Sequence, residues 1–161
     1  MKNSKFETYL EFGYMFLLIS TFATAIFVGV VIAPTIFGSE YIFADEVLSK
    51  FQEGLLMTTI FLKLNYLLNF LVISTLLFEG YLYKNGIRDI FTLSTIFILI
   101  STVLLFTNYY TPQILQMQSA EITDGEIFEK LHFASELDFK IFSLILLILV
   151  IKKLLTFEKR D

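Results

Sequence analysis

Long apolar runs dominate this chain of 161 residues, and they restrict its fold more than any motif does. A helix that crosses the hydrocarbon core of a bilayer needs about 20 apolar residues at 1.5 Å each. The sequence offers such runs over roughly 12–37, 55–83, 90–110 and 128–155. Spans of that length consume most of the chain, so the expected architecture is an all-α, integral membrane four-helix bundle without a separate soluble domain. Hydrophobic residues make up 56% of the chain and the mean hydropathy is +0.72, where soluble domains sit nearer about 45–50% apolar. Nineteen phenylalanines and no tryptophan leave Tyr41, Tyr66, Tyr81, Tyr83, Tyr109 and Tyr110 to anchor span ends at the lipid interface.

Each run has its own punctuation. Ser20, Thr21, Ala23, Thr24, Ala25 and Gly29 give the first span a small-residue surface that lets a neighbouring helix come close. Pro34 and Gly38 mark a kink or an end to it. The segment 39–53, with Glu40, Asp45, Glu46 and Glu53 against Lys50, reads as a short interfacial helix. Lys84, Asn85, Gly86 and Arg88 form a tight turn that makes the second and third spans antiparallel neighbours. After Pro112 a polar connection is expected, then a last helix from Glu126 to about Phe157, most apolar over Ile141 to Ile151.

Cations set the orientation. Lys2, Lys5, Lys84, Arg88, Lys152, Lys153, Lys159 and Arg160 fall on one side and only Lys50 and Lys130 on the other, which predicts cytoplasmic termini in a bacterial inner membrane. The first span is too long for a signal peptide and lacks a small-residue cleavage site, so it reads as retained. No cysteine is present, which excludes disulfides and thiolate chemistry. The net charge of −4, without a basic patch, gives no reason to expect a nucleic-acid partner. The partners expected are lipid, subunits of a larger membrane complex, or further copies of the chain.

An internal echo pairs the two halves. Pro34 and Pro112 each close an odd-numbered span, and Phe51 precedes Lys63 by the interval at which Phe128 precedes Lys140. Two related helical hairpins of the same topology would produce this, as would chance in Leu- and Phe-rich helices.

Chemistry concentrates on the last helix. His132, Glu136 and Lys140 succeed one another at i, i+4 and i+8, so they form one stripe, with Ser135 beside it and Asp138 pointing elsewhere. Ionisable groups at this depth face the bundle interior or water, and Lys63, Asn65, Asn69 and Asn108 are the expected facing groups. The stripe has two readings: an internally paired network that fixes helix register, or an outward-facing ligand site. His132, the sole histidine, could join Met57 and Met117 in a soft-metal site for Cu(I). Haem would need a second axial ligand from Lys63 or a methionine. Gly-rich phosphate loops, HExxH and nucleophile elbows do not occur, so soluble-enzyme chemistry is disfavoured.

The runs Ala33-Pro34-Thr35-Ile36-Phe37 and Phe128-x-x-Leu131-His132-x-x-Ser135 resemble the DUF4149 or TMEM205-like membrane proteins. That family is similar to a wider group that includes the CopD copper-resistance proteins and the HemJ-type protoporphyrinogen oxidases. The CopD likeness implies copper handling outside the cytoplasm, with His132 as the matching ligand and Met57 or Met117 beside it. The HemJ likeness implies haem held near histidine and lysine. Here the chain departs from that pattern, because its first span has no histidine.

Overall fold

The computed structural model describes residues 5–43 and 48–158, so Asp45 and Glu46 of the acidic segment, and Lys2, Lys159 and Arg160 of the charge count, lie outside the described residues. All regular structure within them is helical. The first run is α1 (Lys5–Ile26), a π-helical stretch (Phe27–Ile32) and α2 (Ala33–Phe37), followed by short α3 (Ser39–Phe43). The second is α4 (Lys50–Lys84). The third is α5 (Ile90–Leu105), a second π-helical stretch (Phe106–Tyr110) and α6 (Thr111–Ser119). The last is α7 (Glu126–Glu158).

The two π-helical stretches explain what the prolines do. A proline inside a helix lacks its N–H and presses its ring on the carbonyl four residues back. Both stretches end two residues before a proline, and there the ladder widens by one residue: Ala33 N–H donates to Val28 O and Thr111 N–H to Phe106 O. Helix therefore continues through Pro34 to Phe37 and through Pro112 to Ser119. The polar connection expected straight after Pro112 is instead helical from Gln113 to Ser119. The first run stops at Gly38, where an added Cβ would lie 2.8 Å from the Pro34 carbonyl oxygen.

Caps account for the remaining ends. Ser49 and Gln52 form a reciprocal capping box at the start of α4. At its end Gly86, with φ +87°, gives the left-handed residue of a Schellman turn in which Ile87 N–H reaches Leu82 O and Gly86 N–H reaches Tyr83 O. Asp89 then caps α5 through the Phe91 N–H.

Helix α1 packs on α4 and α7, and α5 packs on α7 and α4. Leu18, Leu68, Leu71, Leu99, Phe142, Leu146 and Leu149 fill the space between them. The small-residue surface of α1 is used in part: Thr21 and Ala25 are fully buried, whereas Ala23 and Thr24 are exposed. Outside this seam the surface is greasy, with Phe16, Tyr66, Leu77, Ile90 and Phe97 largely exposed. Such continuous apolar cover suits lipid as the neighbour.

Glu7–Phe37, Lys50–Lys84 and Ile90–Ser119 are long and apolar enough to cross a membrane. Helix α7 has the length, at 33 residues, but its charge-free stretch covers only Ile141 to Ile151. That is about 16 Å of helix against a hydrocarbon core of about 30 Å. On one side the stretch is bounded by Lys140 and Glu136 of the candidate site, on the other by Lys152 and Lys153.

Candidate functional site: a lateral cleft beside the last helix

A cleft of about 720 Å³ opens on the side of the molecule away from the Lys152 end, walled by residues of every long helical run. Its floor is aromatic. Phe61, Phe106 and Phe139 meet with ring centroids 5.3–5.5 Å apart, two of the three contacts edge-on. Gly29 keeps one wall low, because a Cβ there would already touch the Phe139 ring at 3.5 Å. Pro34 and Ala33 continue that wall, so the first proline unit shapes the cleft directly.

The polar stripe of α7 lines the cleft. His132 Nε2 and Glu136 Oε1 stand 3.3 Å apart, and Lys140 Nζ donates to Glu136 Oε2 at 3.3 Å. The side chains remain 42%, 47% and 70% exposed in that order, so the stripe is paired along its own helix but faces open space. Ser135 is buried and donates to the His132 carbonyl at 2.7 Å. The Phe128 ring lies parallel to the imidazole, 6.0 Å away, and limits its swing.

The structure brings together His132, Ser135, Glu136, Lys140 and Met57, all on the cleft wall. Lys63, Asn108 and Met117 do not line it. Lys63 follows Phe61 by two residues, which turns it about 200° from the floor, and it is exposed on the far face of α4. Asn108 is exposed and donates to Thr107. Asn65 is buried but turns to Thr111, at 3.1 Å.

Gln118 is the site residue that sequence reasoning missed. It is 5% exposed, lines the cleft, and its Oε1 has no hydrogen-bond partner among the described residues. Thr111, Ile114 and Gln118 recur at i, i+3 and i+7, a helical spacing that was legible once Pro112 is allowed inside a helix. A buried amide oxygen left without a donor costs about 1–3 kcal/mol, so the position favours a hydroxyl or amine arriving from outside. At the same end Glu53, 1% exposed, accepts from Ser39 at 2.7 Å and pairs with Lys50 at 3.2 Å, fixing α3 to the start of α4.

As a metal centre the set is thin. Among the described residues no three His, Cys, Asp or Glu side chains gather as ligands. A soft ion would have His132 and Met57 as protein donors on this wall.

The opposite end of the bundle holds a second, smaller space of about 90 Å³. There Lys153 pairs with Glu79 across two helices, both nearly buried, with Tyr14 stacked on Phe78 beside them. Tyr14 OH donates to Thr75 at 3.3 Å. Lys152 reaches Asp89 at 3.0 Å. These groups pair with one another across the helices at that end.

No curated protein and no solved structure matches the chain. The sequence pattern of a domain of unknown function, DUF4149, matches residues 16–122. The match takes in the Ala33–Phe37 motif and both π-helical stretches, and it ends before the Phe128–Ser135 motif and the stripe. Covering the larger part of the sequence, it establishes that the chain belongs to the DUF4149 family.

Proposed function

We propose that the chain is a four-span protein of the bacterial inner membrane whose outward-facing cleft binds a small amphipathic ligand. In this reading α7 is the fourth span, its charged stripe tolerated because it borders the cleft instead of lipid. The ligand's apolar body rests on Phe61, Phe106 and Phe139, and its polar group meets His132, Glu136, Lys140 and Gln118. The observation that carries the reading is the cleft itself: mostly apolar walls, few polar groups converging on one side, and a volume within the range of small-molecule sites. The pairing of Glu136 with both neighbours is weak enough to be redirected, since exposed i,i+4 pairs contribute about 0.3–0.5 kcal/mol.

The test is mass spectrometry of protein extracted gently from its native membrane, with metal analysis and an absorption spectrum on the same sample. One organic molecule per chain is expected, lost in an Ala33→Phe variant that fills the cleft and weakened in His132→Ala. A preparation that carries no such molecule, and takes up none from a lipid extract, defeats the reading. Stoichiometric copper lost in both His132→Ala and Met57→Leu would favour a metal site instead, an alternative supported by the shared wall position of those two residues. A Soret band would favour haem. Constant co-purification with one assembly, with Glu136→Gln affecting only stability, would favour an accessory subunit.

A further inference from the structure

Helix α7 carries a second acid that the cleft does not use. Asp138 is 6% exposed, its Oδ2 has no hydrogen-bond partner, and no ion pair reaches it among the described residues. Glu136 and Lys140, two residues to either side, point about 200° away and are occupied with each other. The helices packed against this face bring no cation. Helix α1 and its continuation have no titratable residue between Tyr14 and Glu40, and the run from Ile90 to Ser119 has only Tyr109 and Tyr110. Tyr110, at the end of the second π-helical stretch, lies within electrostatic range of the carboxyl, and Tyr109 is half-exposed.

An ionised carboxylate in that position would be a buried charge with neither counter-ion nor donor, which costs far more than taking up a proton. Asp138 also sits one layer behind the cleft. Ser135, about 60° round the helix, and Phe139, its neighbour in sequence, both form cleft wall. The Ser135 hydroxyl donates to the His132 carbonyl, and its oxygen keeps accepting capacity on the wall between the cleft and this side of α7.

We propose that Asp138 is a proton-binding site of the folded protein, carrying an exchangeable proton at its carboxyl that is reached from the cleft past Ser135. The site is distinct from the ligand stripe and stands on the burial and isolation of Asp138, whatever occupies the cleft. It gives α7 a titratable group on the helix that packs against the wide turn containing Phe106, within electrostatic range of Tyr110.

The experiment is labelling of the full chain in proteoliposomes with dicyclohexylcarbodiimide, an apolar reagent that condenses with a carboxyl only in its protonated form. The carboxyl proton passes to a carbodiimide nitrogen as the oxygen bonds to the central carbon, and rearrangement leaves a stable N-acylurea that peptide mass spectrometry locates. Adduct on Asp138 is expected in the unmodified chain and in Glu136→Gln, falling about tenfold per pH unit above the group's midpoint. It is expected to slow when Ser135→Val closes the way in. No adduct on Asp138, an adduct independent of pH, or labelling confined to Glu136 overturns the proposal. None of these outcomes depends on whether a ligand co-purifies.

Discussion

The two ends of α7 use charge in opposite ways. Towards its end, Lys152 and Lys153 reach across to other helices: Lys153 to Glu79 on α4, Lys152 to Asp89 at the start of α5. Lys153 and Glu79 are 14% and 8% exposed, and the lysine lies 5.9 Å from the Tyr14 and Phe78 ring centroids. Near its start His132, Glu136 and Lys140 pair, among the described residues, with one another along one helix face, and they stay 42–70% exposed. Charges tied across helices and removed from solvent hold the bundle together. Charges paired along one helix, facing a cleft, contribute little to stability and can be turned towards a ligand.

Breaking the first arrangement should have the largest effect. Glu79→Ala leaves Lys153 buried without a counter-charge, and removing one partner of a buried pair destabilises by about 3–5 kcal/mol. Thermal unfolding in mild detergent should show it, and Lys153→Met in the same background should recover much of the loss. If the single variant unfolds like the unmodified protein, the inner pair is not what fastens α4 to α7, and the contrast between the two ends fails.

The cleft stripe should respond in the reverse sense. Glu136→Gln is expected to shift stability by less than about 1 kcal/mol, because both its pairs are exposed. Its effect should fall on binding, with affinity for the cleft ligand reduced about tenfold, which corresponds to about 1.4 kcal/mol. Isothermal titration beside unfolding of the same preparations separates the two quantities. A variant that loses stability and keeps its affinity would place the stripe with the register-fixing charges of the other end.

Much of this was legible in the sequence because apolar length and helical spacing are local properties. The i, i+4, i+8 succession put His132, Glu136 and Lys140 on one face, and they share one wall of the cleft. Thr21 and Ala25 were legible as a packing face by their size alone. What failed depended on three dimensions. Lys63 echoes Lys140 in sequence, yet the rotation of α4 that buries Leu64 and turns Phe61 to the cleft floor leaves Lys63 outward. Pro34 reads as a kink or an end, and the run does stop four residues on at Gly38. Pro112 reads as the start of a polar connection, but the widened turn before it instead lets helix continue to Ser119, bringing Thr111 and Gln118 into the cleft wall. Spacing turns Asp138 away from the stripe, but spacing does not say which side chains surround it there, and its isolation is a property of the packed helices.

The smallest predicted effect lies at the junction of α4 and α5. Asp89 is held below the ordinary carboxylate range first by the Thr92 hydroxyl, at 2.7 Å, then by Lys152 and the Phe91 N–H. A carboxyl whose folded pKa is depressed stabilises the protein above its unfolded value, about 3.9, and that contribution disappears as pH falls through the folded value. Melting temperature should therefore decline below about pH 4 partly through Asp89, and Asp89→Asn should melt lower at neutral pH while showing a flatter acid limb. The side chain is 40% exposed, so solvent screens the ion pair and the difference should stay under about 1 kcal/mol. A loss at Asp89 as large as that of Glu79→Ala would mean that exposure does not grade the ties at this end. Equal acid limbs in the two proteins would instead assign the acid sensitivity to buried carboxyls deeper in the bundle.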